Sequence, residues 1–362
     1  MMDGALAGNL FAPTTIGVLS VPNRIVMAPL TRARADLQGV HTPLAADYYS
    51  QRCSAGLMIS ETTNISRHGT CSAFSPGIYT DAQIAAWKIV TDAVHASFGR
   101  IFVQLSHAGR FSHVSLQDAG EVPAGPSAIP AGGQIWIESG YTAPSEPRAL
   151  SLAEITEVVL DFRKASMNAK LAGFDGVEIH AANCYLLDQF VRDSTNRRID
   201  HYGGSLDNRT RLPYEVAEAV VGVFGANRVG IRLSPLTTAM GDTPLDSAPQ
   251  TTYEYLCERL GGLGLAYLHC IEGQTRGSNK AHEFDFQALR NRCGSRYIAN
   301  NGYDYELASR TIAKGQADMV SFARLFISNP DLVERFRQSL PLVEAPKESY
   351  YGRGSRGYTD WM

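Results

Sequence analysis

The sequence predicts an α/β fold of the (β/α)8 barrel class, the TIM barrel, and three observations lead to this prediction. Short apolar runs recur eight times along the chain, and segments with helical periodicity alternate with them. The runs are continuously apolar, which is typical of parallel strands covered on both faces. The chain has 362 residues, and such barrels commonly exceed about 250 residues as one domain. We therefore expect residues 1–362 to form a single domain.

The eight predicted strands are followed by polar or glycine-containing segments. Their extents are 24–30, 56–61, 100–107, 174–180, 229–235, 266–271, 297–300 and 319–324. Residues 9–22 precede the first strand, and we expect them to form an N-terminal β-hairpin that closes the bottom of the barrel. An open doubly wound sheet is the alternative fold. Residues 29–34 lack the GxGxxG turn that such a sheet is expected to carry after its first strand.

The predicted helices lie between the strands. Ser151 and Glu154 form a capping box at the start of an amphipathic helix that extends to about Leu171. The other helices are predicted at 81–98, 207–224, 250–260, 284–292, 305–314 and 331–339. Residues 108–150 follow the third strand and are too long for an ordinary loop of this fold. We expect them to form a lid-like insertion.

Composition excludes several classes of partner. The formal net charge of −3 provides no long-range attraction for nucleic acid. The sequence contains no apolar stretch of about 18 residues and no signal peptide, so no membrane partner is expected. Six cysteines lack CxxC spacing, which disfavours zinc sites, iron–sulfur clusters and disulfides. We expect reduced thiols, a cytoplasmic location and no metal ligands.

Neutral hydrogen-bonding side chains and two arginines stand at the predicted carboxyl ends of the strands, where barrel enzymes carry their active sites. The loops after strands 7 and 8 frequently bind phosphate, and they contain Gly302 and Arg324. Gln104 offers a donor and an acceptor to an amide-like edge, and Arg232 offers a positive charge to an anionic ring. Together these features suggest bound flavin mononucleotide (FMN).

Three other functions stay open on the residues alone. A metal-dependent hydrolase would use His107, His180 and His269, but the first strand has no HxH motif and no carboxylate follows the last. A Schiff-base aldolase would need a lysine at a strand end, and none is found there. A flavin-binding module without catalytic activity is the third alternative.

Eight segments together resemble the Old Yellow Enzyme family of flavin-dependent ene-reductases. They are LFAP, PNRIVMAPLTRARA, YYSQRCSAGLMISETTNIS, FVQLSHAGR, GFDGVEIHAANCYLLDQF with NRRIDHYGGSLDNRTR, VGIRLSP, VSFARLFISNPDL and YYGRGSRGYTD. The resemblance implies noncovalently bound FMN that is reduced by NADPH or NADH. The reduced flavin then reduces activated C=C bonds of small α,β-unsaturated carbonyls or nitroalkenes. We expect a monomer or a homodimer.

The resemblance also assigns the residues that bind the cofactor. It places Pro29, Leu30 and Thr31 along the isoalloxazine ring, with the Thr31 hydroxyl near flavin O4. Thr62 is expected near the ring, and Gln104 is expected to bond its pyrimidine edge.

Charged and phosphate-binding contacts complete this assignment. By the same resemblance, Arg232 neutralises charge at N1 and C2=O of the reduced flavin. The residues expected to hold the phosphate are Asn301, Gly302, Ala323 and Arg324.

Three residues at the end of strand 4 receive catalytic roles from the resemblance. His180 and Asn183 match the pair that binds the carbonyl or nitro oxygen of the substrate, and Tyr185 matches the proton donor. The same His–Asn pair is expected to bind the nicotinamide amide. Both half-reactions would then share one site and follow a ping-pong scheme.

The sequence departs from the family pattern at three places. Ser106 stands where relatives usually carry a tryptophan in the pocket wall, so we expect a wider pocket there. Ala323 replaces a common glycine at the phosphate site. Arg353 and Arg356 add charge to a glycine run that is usually neutral. Either they lie near the mouth of the site and meet a cofactor phosphate, or they are simply exposed to solvent, and we expect the second.

Overall fold

The computed structural model describes residues 9–118, 120–238, 240–274 and 283–361, and it contains the predicted closed barrel. In chain order the strands are β1 (Thr14–Ile16), β2 (Leu19–Val21), β3 (Ile25–Met27), β4 (Leu57–Asn64), β5 (Ile101–Ser106), β6 (Ala124–Gly125), β7 (Ile135–Ile137), β8 (Gly140–Thr142), β9 (Arg148–Ala149), β10 (Gly176–Ala181), β11 (Val229–Leu233), β12 (Tyr267–Ile271), β13 (Arg296–Asn300) and β14 (Met319–Phe322).

Helices alternate with the barrel strands. They are α1 (Leu44–Ser50), α2 (Asp81–Ala96), α3 (Leu152–Leu171), α4 (Leu186–Val191), α5 (Leu206–Arg209), α6 (Arg211–Phe224), α7 (Pro249–Gly261), α8 (Phe286–Cys293), α9 (Tyr305–Ala313), α10 (Leu325–Ser328) and α11 (Leu332–Gln338). The predicted capping box of α3 is present, because Ser151 Oγ accepts from Glu154 N and Glu154 Oε2 accepts from Ser151 N. None of the helices in the described ranges is long and apolar enough to cross a membrane.

Eight strands form the barrel, and every pair of neighbours is parallel. β3, β4, β5, β10, β11, β12, β13 and β14 follow one another around the barrel, and β14 pairs with β3 to close it. The barrel prediction is therefore confirmed. The open-sheet alternative is wrong because the first and last strands are hydrogen-bonded to each other.

The lengths of several strands differ from the sequence prediction. β3, β11 and β14 end two or three residues early, and the chain beyond them enters the loops at the mouth of the barrel. β4 is longer than predicted because its register against β5 shifts between Ile59 and Thr62, which extends the pairing to Asn64. The helix predicted at 207–224 is divided at Thr210 into α5 and α6.

The predicted N-terminal hairpin closes the amino end of the barrel. Its strands β1 and β2 are antiparallel, and Ile16, Leu19 and Val21 are buried. These three side chains belong to one apolar cluster with side chains of the barrel strands, namely Val26, Leu57, Ile59, Phe102, Tyr267, Ile298 and Met319. Because the hairpin plugs this end, the open end of the barrel is the one at which the strands finish.

The insertion after β5 contains two small sheets. β6 and β9 form a parallel pair near its ends, and β7 and β8 form an antiparallel hairpin in its middle. Phe111, from the start of the insertion, packs in a buried cluster with Cys71, Ala108 and Tyr185. The insertion therefore contributes to the wall around one of the predicted catalytic residues.

Substitution of Gly17 tests how tightly the hairpin fits the barrel. Gly17 has φ +53°, and a Cβ atom there would lie 1.8 Å from the carbonyl oxygen of Asn227. We expect Gly17→Ala to lower the free energy of unfolding by more than about 2 kcal/mol, because conformational strain and collision act together. Chemical denaturation of the purified protein measures this change.

Gly264→Ala is the matched control for this variant. Gly264 has φ +66°, but no atom lies within 4 Å of the position its Cβ would take. We therefore expect backbone strain alone to lower the free energy of unfolding of the control variant, by about 1–2 kcal/mol. Equal destabilisation by the two variants would contradict a tight contact between the hairpin and the barrel.

Candidate active site

The residues predicted for the site lie at the carboxyl ends of the barrel strands. Thr62 pairs in register with Gln104 across β4 and β5, and His180 pairs with Arg232 across β10 and β11. The others follow strands β3, β10, β13 and β14 in the chain, and they are Pro29, Leu30, Thr31, Asn183, Tyr185, Asn301, Gly302, Ala323 and Arg324. The fold therefore brings both groups to the open end of the barrel.

Buried hydrogen bonds connect polar side chains across several strands of the barrel. Thr62 Oγ1 donates to Gln104 Oε1 at 2.9 Å, and Gln104 Nε2 donates to Glu178 Oε1 at 2.7 Å. Glu178 Oε2 lies 2.8 Å from His269 Nδ1, whose ring also lies 2.8 Å from Ser321 Oγ through Nε2. All five side chains are buried. The network connects strands β4, β5, β10, β12 and β14.

Glu178, like Ser321, is a member of this network that the sequence analysis missed. It lies two residues before His180 on β10, so both side chains point to the same side of the strand. A single carboxylate within an apolar strand was the available signal. Burial alone would raise the pKa of Glu178, but His269, Arg232 and the hydrogen bond from Gln104 outweigh burial and lower it. Glu178 is therefore ionised at neutral pH.

Arg232 places a buried positive charge near this carboxylate. Its Nη2 donates to Asn300 Oδ1 at 2.8 Å, and its side chain is buried. Its Nε is also buried and has no hydrogen-bond partner within the described part of the chain. A buried guanidinium N–H without an acceptor is costly. An anionic or carbonyl-bearing ligand at the mouth of the barrel would satisfy it.

His180 is the second side chain with an unused polar atom. It is 2% exposed, and its Nδ1 has no hydrogen-bond partner among the described residues. Burial, reinforced by the charges of Arg232 and His269, lowers its pKa well below the usual value. The ring is therefore neutral and carries one N–H donor. It contacts the edge of Tyr185 with a centroid separation of 5.1 Å.

A left-handed turn places Asn183 after β10. Asn183 and Cys184 have φ values of +56° and +61°, a conformation that residues other than glycine rarely adopt. Ser234 Oγ accepts from the backbone N–H of Asn183, and Asp188 Oδ2 accepts from that of Cys184. These bonds hold the strained turn in place, and strain of this kind is typical of functional sites.

The loops after β13 and β14 have the backbone and charge that a phosphate site needs. Asn301 and Gly302 have consecutive left-handed φ values of +96° and +71°. Backbone of this kind makes a sharp turn, which glycine accommodates readily at Gly302. Asn301 Nδ2 donates to the carbonyl oxygens of Glu272 and Gln274, which fixes the loop. Arg324 is exposed and forms no ion pair within the described ranges.

The segment that contains Thr31 is braced by a buried carboxylate. Glu61 Oε2 accepts from the backbone N–H groups of Arg32 and Ala33, at 3.0 and 3.2 Å. Burial raises the pKa of Glu61 to about 7, and these two hydrogen bonds only partly oppose the rise. The nearest imidazole, that of His41, lies 3.8 Å from Glu61 Oε1. Burial lowers the pKa of His41 to about 3, so this ring is neutral.

Two arginines attach the C-terminal part of the chain to the same segment. Arg32 donates to the carbonyl oxygens of Tyr350 and Gly357, and Arg34 donates to that of Arg356. The expectation that Arg353 and Arg356 are exposed is confirmed. The guanidinium of Arg353 also lies over the ring of Phe74, 4.1 Å from its centroid. The tail therefore forms part of the rim around the site.

Ser106 is the last residue of β5 and points to the same side of the strand as Gln104, two residues earlier. Its side chain is fully buried, and its Oγ has no hydrogen-bond partner among the residues described. Its backbone is paired in register with Asn64 of β4.

The described part of the chain contains no group of three or more His, Cys, Asp and Glu side chains arranged to hold a metal. His269, one of the three histidines that a metal-dependent hydrolase would use, instead hydrogen-bonds to Glu178 and Ser321.

The chain is similar to known flavoproteins along nearly all of its length. A model of the NADH:flavin oxidoreductase / NADH oxidase family matches residues 9–343. The chain is 43% identical to a chanoclavine-I aldehyde reductase of Penicillium roqueforti, covering 97% of this chain and 95% of that one. It is 42% identical to 12-oxophytodienoate reductase 1 of Oryza sativa subsp. japonica, covering 99% and 93%.

Solved structures of flavoproteins are also similar to this chain along nearly all of its length. Morphinone reductase superposes with a TM-score of 0.94 at 44% identity, covering 99% of this chain and 97% of that one. The old yellow enzyme homologue of Zymomonas mobilis superposes with a TM-score of 0.93 at 41% identity, covering 98% and 99%. Morphinone reductase in complex with tetrahydroNAD superposes with a TM-score of 0.92 at 45% identity, covering 98% and 97%.

The barrel, its polar mouth and these matches define a flavin-dependent oxidoreductase. The chain belongs to the Old Yellow Enzyme family. It is an FMN-dependent ene-reductase that reduces activated C=C bonds with electrons from a nicotinamide cofactor.

Replacement of Glu61 by Gln tests the brace behind Thr31. Between about pH 4.5 and 7 the unfolded wild type loses the Glu61 proton while the folded protein keeps it, so stability falls as pH rises. The raised pKa corresponds to about 3 kcal/mol lost over this range. Glu61→Gln cannot titrate and keeps an acceptor oxygen. As the pH rises from about 4.5 to 7, we therefore expect the difference in free energy of unfolding between the variant and the wild type to grow by about that amount in favour of the variant.

Denaturant unfolding of the apoprotein on both sides of this pH range measures the effect. Glu306→Gln is the matched control, because the Glu306 side chain is 80% exposed. Its stability should follow that of the wild type at every pH. Parallel pH curves for Glu61→Gln and the wild type would contradict a raised pKa at Glu61.

Proposed function

We propose that the residues at the mouth of the barrel bind FMN in the arrangement that the family resemblance implies. The buried, unpartnered Nε of Arg232 carries this proposal, because it needs an acceptor that the described protein does not supply. A flavin carbonyl or ring nitrogen is such an acceptor. When bound, FMN supplies the redox chemistry: it is reduced by the nicotinamide, and it reduces the alkene.

Each part of the cofactor has residues suited to it. We assign Gln104 and Arg232 to the pyrimidine edge, with Thr62 beside Gln104. The segment Pro29, Leu30 and Thr31 follows β3, is partly buried and lines the isoalloxazine ring in this proposal. The phosphate is assigned to the two loops after β13 and β14, through Asn301, Gly302, Ala323 and Arg324.

His180 and Asn183 bind the oxygen of the substrate in this proposal. A neutral His180 donates one N–H, and the Asn183 side-chain amide can donate a second. Donation to the carbonyl or nitro oxygen stabilises the negative charge that develops on it during reduction. A preorganised donor of this kind contributes about 2.7–4 kcal/mol to catalysis. Because His180 is buried and neutral, it does not add a net charge to the pocket.

Tyr185 supplies the proton to the α-carbon of the substrate. It is the N-cap residue of helix α4 and is 8% exposed, so packing holds it in place. Its ring lies against His180 and within the cluster formed with Phe111 and Cys71. In this proposal the proton donor and the oxygen-binding pair thus all lie at the carboxyl end of β10, with His180 on the strand and Asn183 and Tyr185 just after it.

The reactants are proposed to use this single site one after the other. NADPH or NADH binds first through its nicotinamide amide, and the alkene follows after the oxidised nicotinamide leaves. The names of two relatives specify an aldehyde and an oxo acid. We therefore propose an α,β-unsaturated carbonyl as the physiological substrate class, with nitroalkenes as further acceptors. We also propose a cytoplasmic monomer or homodimer.

Tyr185→Phe tests the role of the proton donor. We expect alkene reduction to slow by about 10²–10⁴-fold, because a general acid is lost, whereas flavin reduction by NADPH stays within a few fold of wild type. Stopped-flow absorbance of the two half-reactions measures both. Tyr202→Phe is the control, because the Tyr202 hydroxyl donates to Glu215 and is not assigned to the site. Equal losses in both half-reactions of Tyr185→Phe would rule out its assigned role.

Ser106→Trp tests whether Ser106 forms part of the pocket wall. We expect the variant to lose activity on bulky enones much more than on small ones, because the family resemblance places a tryptophan at this position in the pocket wall. Steady-state kinetics on enones of increasing size measure this change, with FMN content verifying the fold. Ser106→Ala is the control, since it removes the unpartnered hydroxyl and adds no volume. An unchanged substrate profile in folded Ser106→Trp would place Ser106 outside the wall.

A further inference from the structure

Glu178 has a position that the proposed roles of the site residues leave unexplained. It lies in the middle of β10 and is completely buried. Its carboxylate accepts hydrogen bonds from Gln104 Nε2 at 2.7 Å and Tyr267 OH at 3.1 Å, and it lies 2.8 Å from His269 Nδ1. A buried ion pair or charge network adds little net stability compared with apolar packing. A buried charge next to an assigned ligand-binding amide therefore calls for a functional explanation.

The carboxylate determines which way the Gln104 amide faces. Thr62 Oγ1 lies 2.9 Å from Gln104 Oε1, and Glu178 Oε1 lies 2.7 Å from Gln104 Nε2. If the amide were turned over, its oxygen would face an ionised carboxylate, which has no proton to donate. Only one orientation is therefore favourable. In that orientation, one further N–H and one further lone pair of the amide are left for a ligand.

Glu178 also balances the charge of Arg232. In the ladder between β10 and β11, Glu178 lies opposite Gly230, and His180 lies opposite Arg232. The two charged residues are thus on adjacent strands and two positions apart. Burial disfavours the charged form of Arg232, and the Coulomb attraction of Glu178 opposes that effect. The arginine therefore acts on the site as a partly neutralised charge.

We propose that Glu178 is a positioning residue for FMN: it orients the Gln104 amide toward the pyrimidine edge and, by offsetting Arg232, limits the preference of the site for reduced over oxidised FMN. The inference rests on the FMN site proposed above. Reduced flavin carries the greater negative charge, so an unopposed Arg232 would bind it more tightly. A site that stabilises reduced flavin too strongly makes it a weaker reductant of the alkene. The carboxylate keeps this stabilisation moderate.

Glu178→Gln tests the charge, because it keeps the size of the side chain and an acceptor for Gln104. The measurements are the dissociation constants of the apoprotein for oxidised FMN and for dithionite-reduced FMN, followed by the reduction potential of the reconstituted protein. We expect the preference for reduced FMN to rise at least tenfold. For a two-electron couple, a tenfold change corresponds to about 30 mV in the positive direction. Neither measurement depends on turnover.

Two further variants separate charge from geometry. Tyr267→Phe removes one donor to the same carboxylate and keeps the charge, so the ratio of the two dissociation constants should stay within about twofold of wild type. Glu178→Asp keeps the charge on a shorter side chain that withdraws from Gln104. We expect it to bind oxidised FMN at least tenfold more weakly, with a ratio close to that of wild type.

The outcomes distinguish this inference from the proposed site itself. An unchanged ratio in folded Glu178→Gln would overturn the inference and leave Glu178 a structural residue. If Glu178→Gln does not fold, the affinity of Glu178→Asp for oxidised FMN tests the inference instead. An affinity equal to that of the wild type would overturn it. Failure of the wild-type apoprotein to bind FMN would instead refute the proposed site. If the ratio of the two dissociation constants changed by as much in Tyr267→Phe as in Glu178→Gln, the inference would also be overturned. The effect would then come from disturbing the hydrogen-bond network and not from the charge of Glu178.

Discussion

A carboxylate inside the barrel must be surrounded by hydrogen-bond donors. The network of buried polar side chains across the barrel strands meets this requirement. Glu178 is fully buried, and an isolated carboxylate there would cost several kcal/mol. Gln104 and His269 satisfy it, and their remaining polar atoms contact Thr62 and Ser321. The packing of the strands thus fixes the side chains at the mouth of the barrel before any ligand arrives.

The sequence could predict the barrel because its strands are continuously apolar and its helices carry strong boundary signals. The capping box at Ser151 and Glu154 is a local signal, and the structure contains it as predicted. The role of Glu178 is not local, since its partners Gln104 and His269 lie 74 and 91 residues away. Short helices such as α1 and α4 were missed because 6 or 7 residues contain too few turns for a periodic pattern.

Part of the site was accessible from the sequence by family resemblance, while its electrostatics required the structure. The chemical types of His180 and Arg232 suggest hydrogen bonding and charge, but the directions of their pKa shifts depend on burial and on charged groups of other strands. The left-handed turn at Asn183 and Cys184 was also not predictable, because nothing in these residue types requires it. A tertiary hydrogen bond from the Asn183 backbone N–H to Ser234 Oγ holds this turn in place.

The attachment of the C-terminal segment has a consequence for the order in which the protein folds. The hydrogen bonds from Arg32 to Tyr350 and Gly357 join residues 318 and 325 positions apart, and that from Arg34 to Arg356 spans 322. Contacts of such high sequence separation carry a large loop-closure entropy until the intervening barrel has formed. We therefore expect the segment that contains Thr31 to acquire its final support late, so that affinity for the flavin develops as one of the last events of folding.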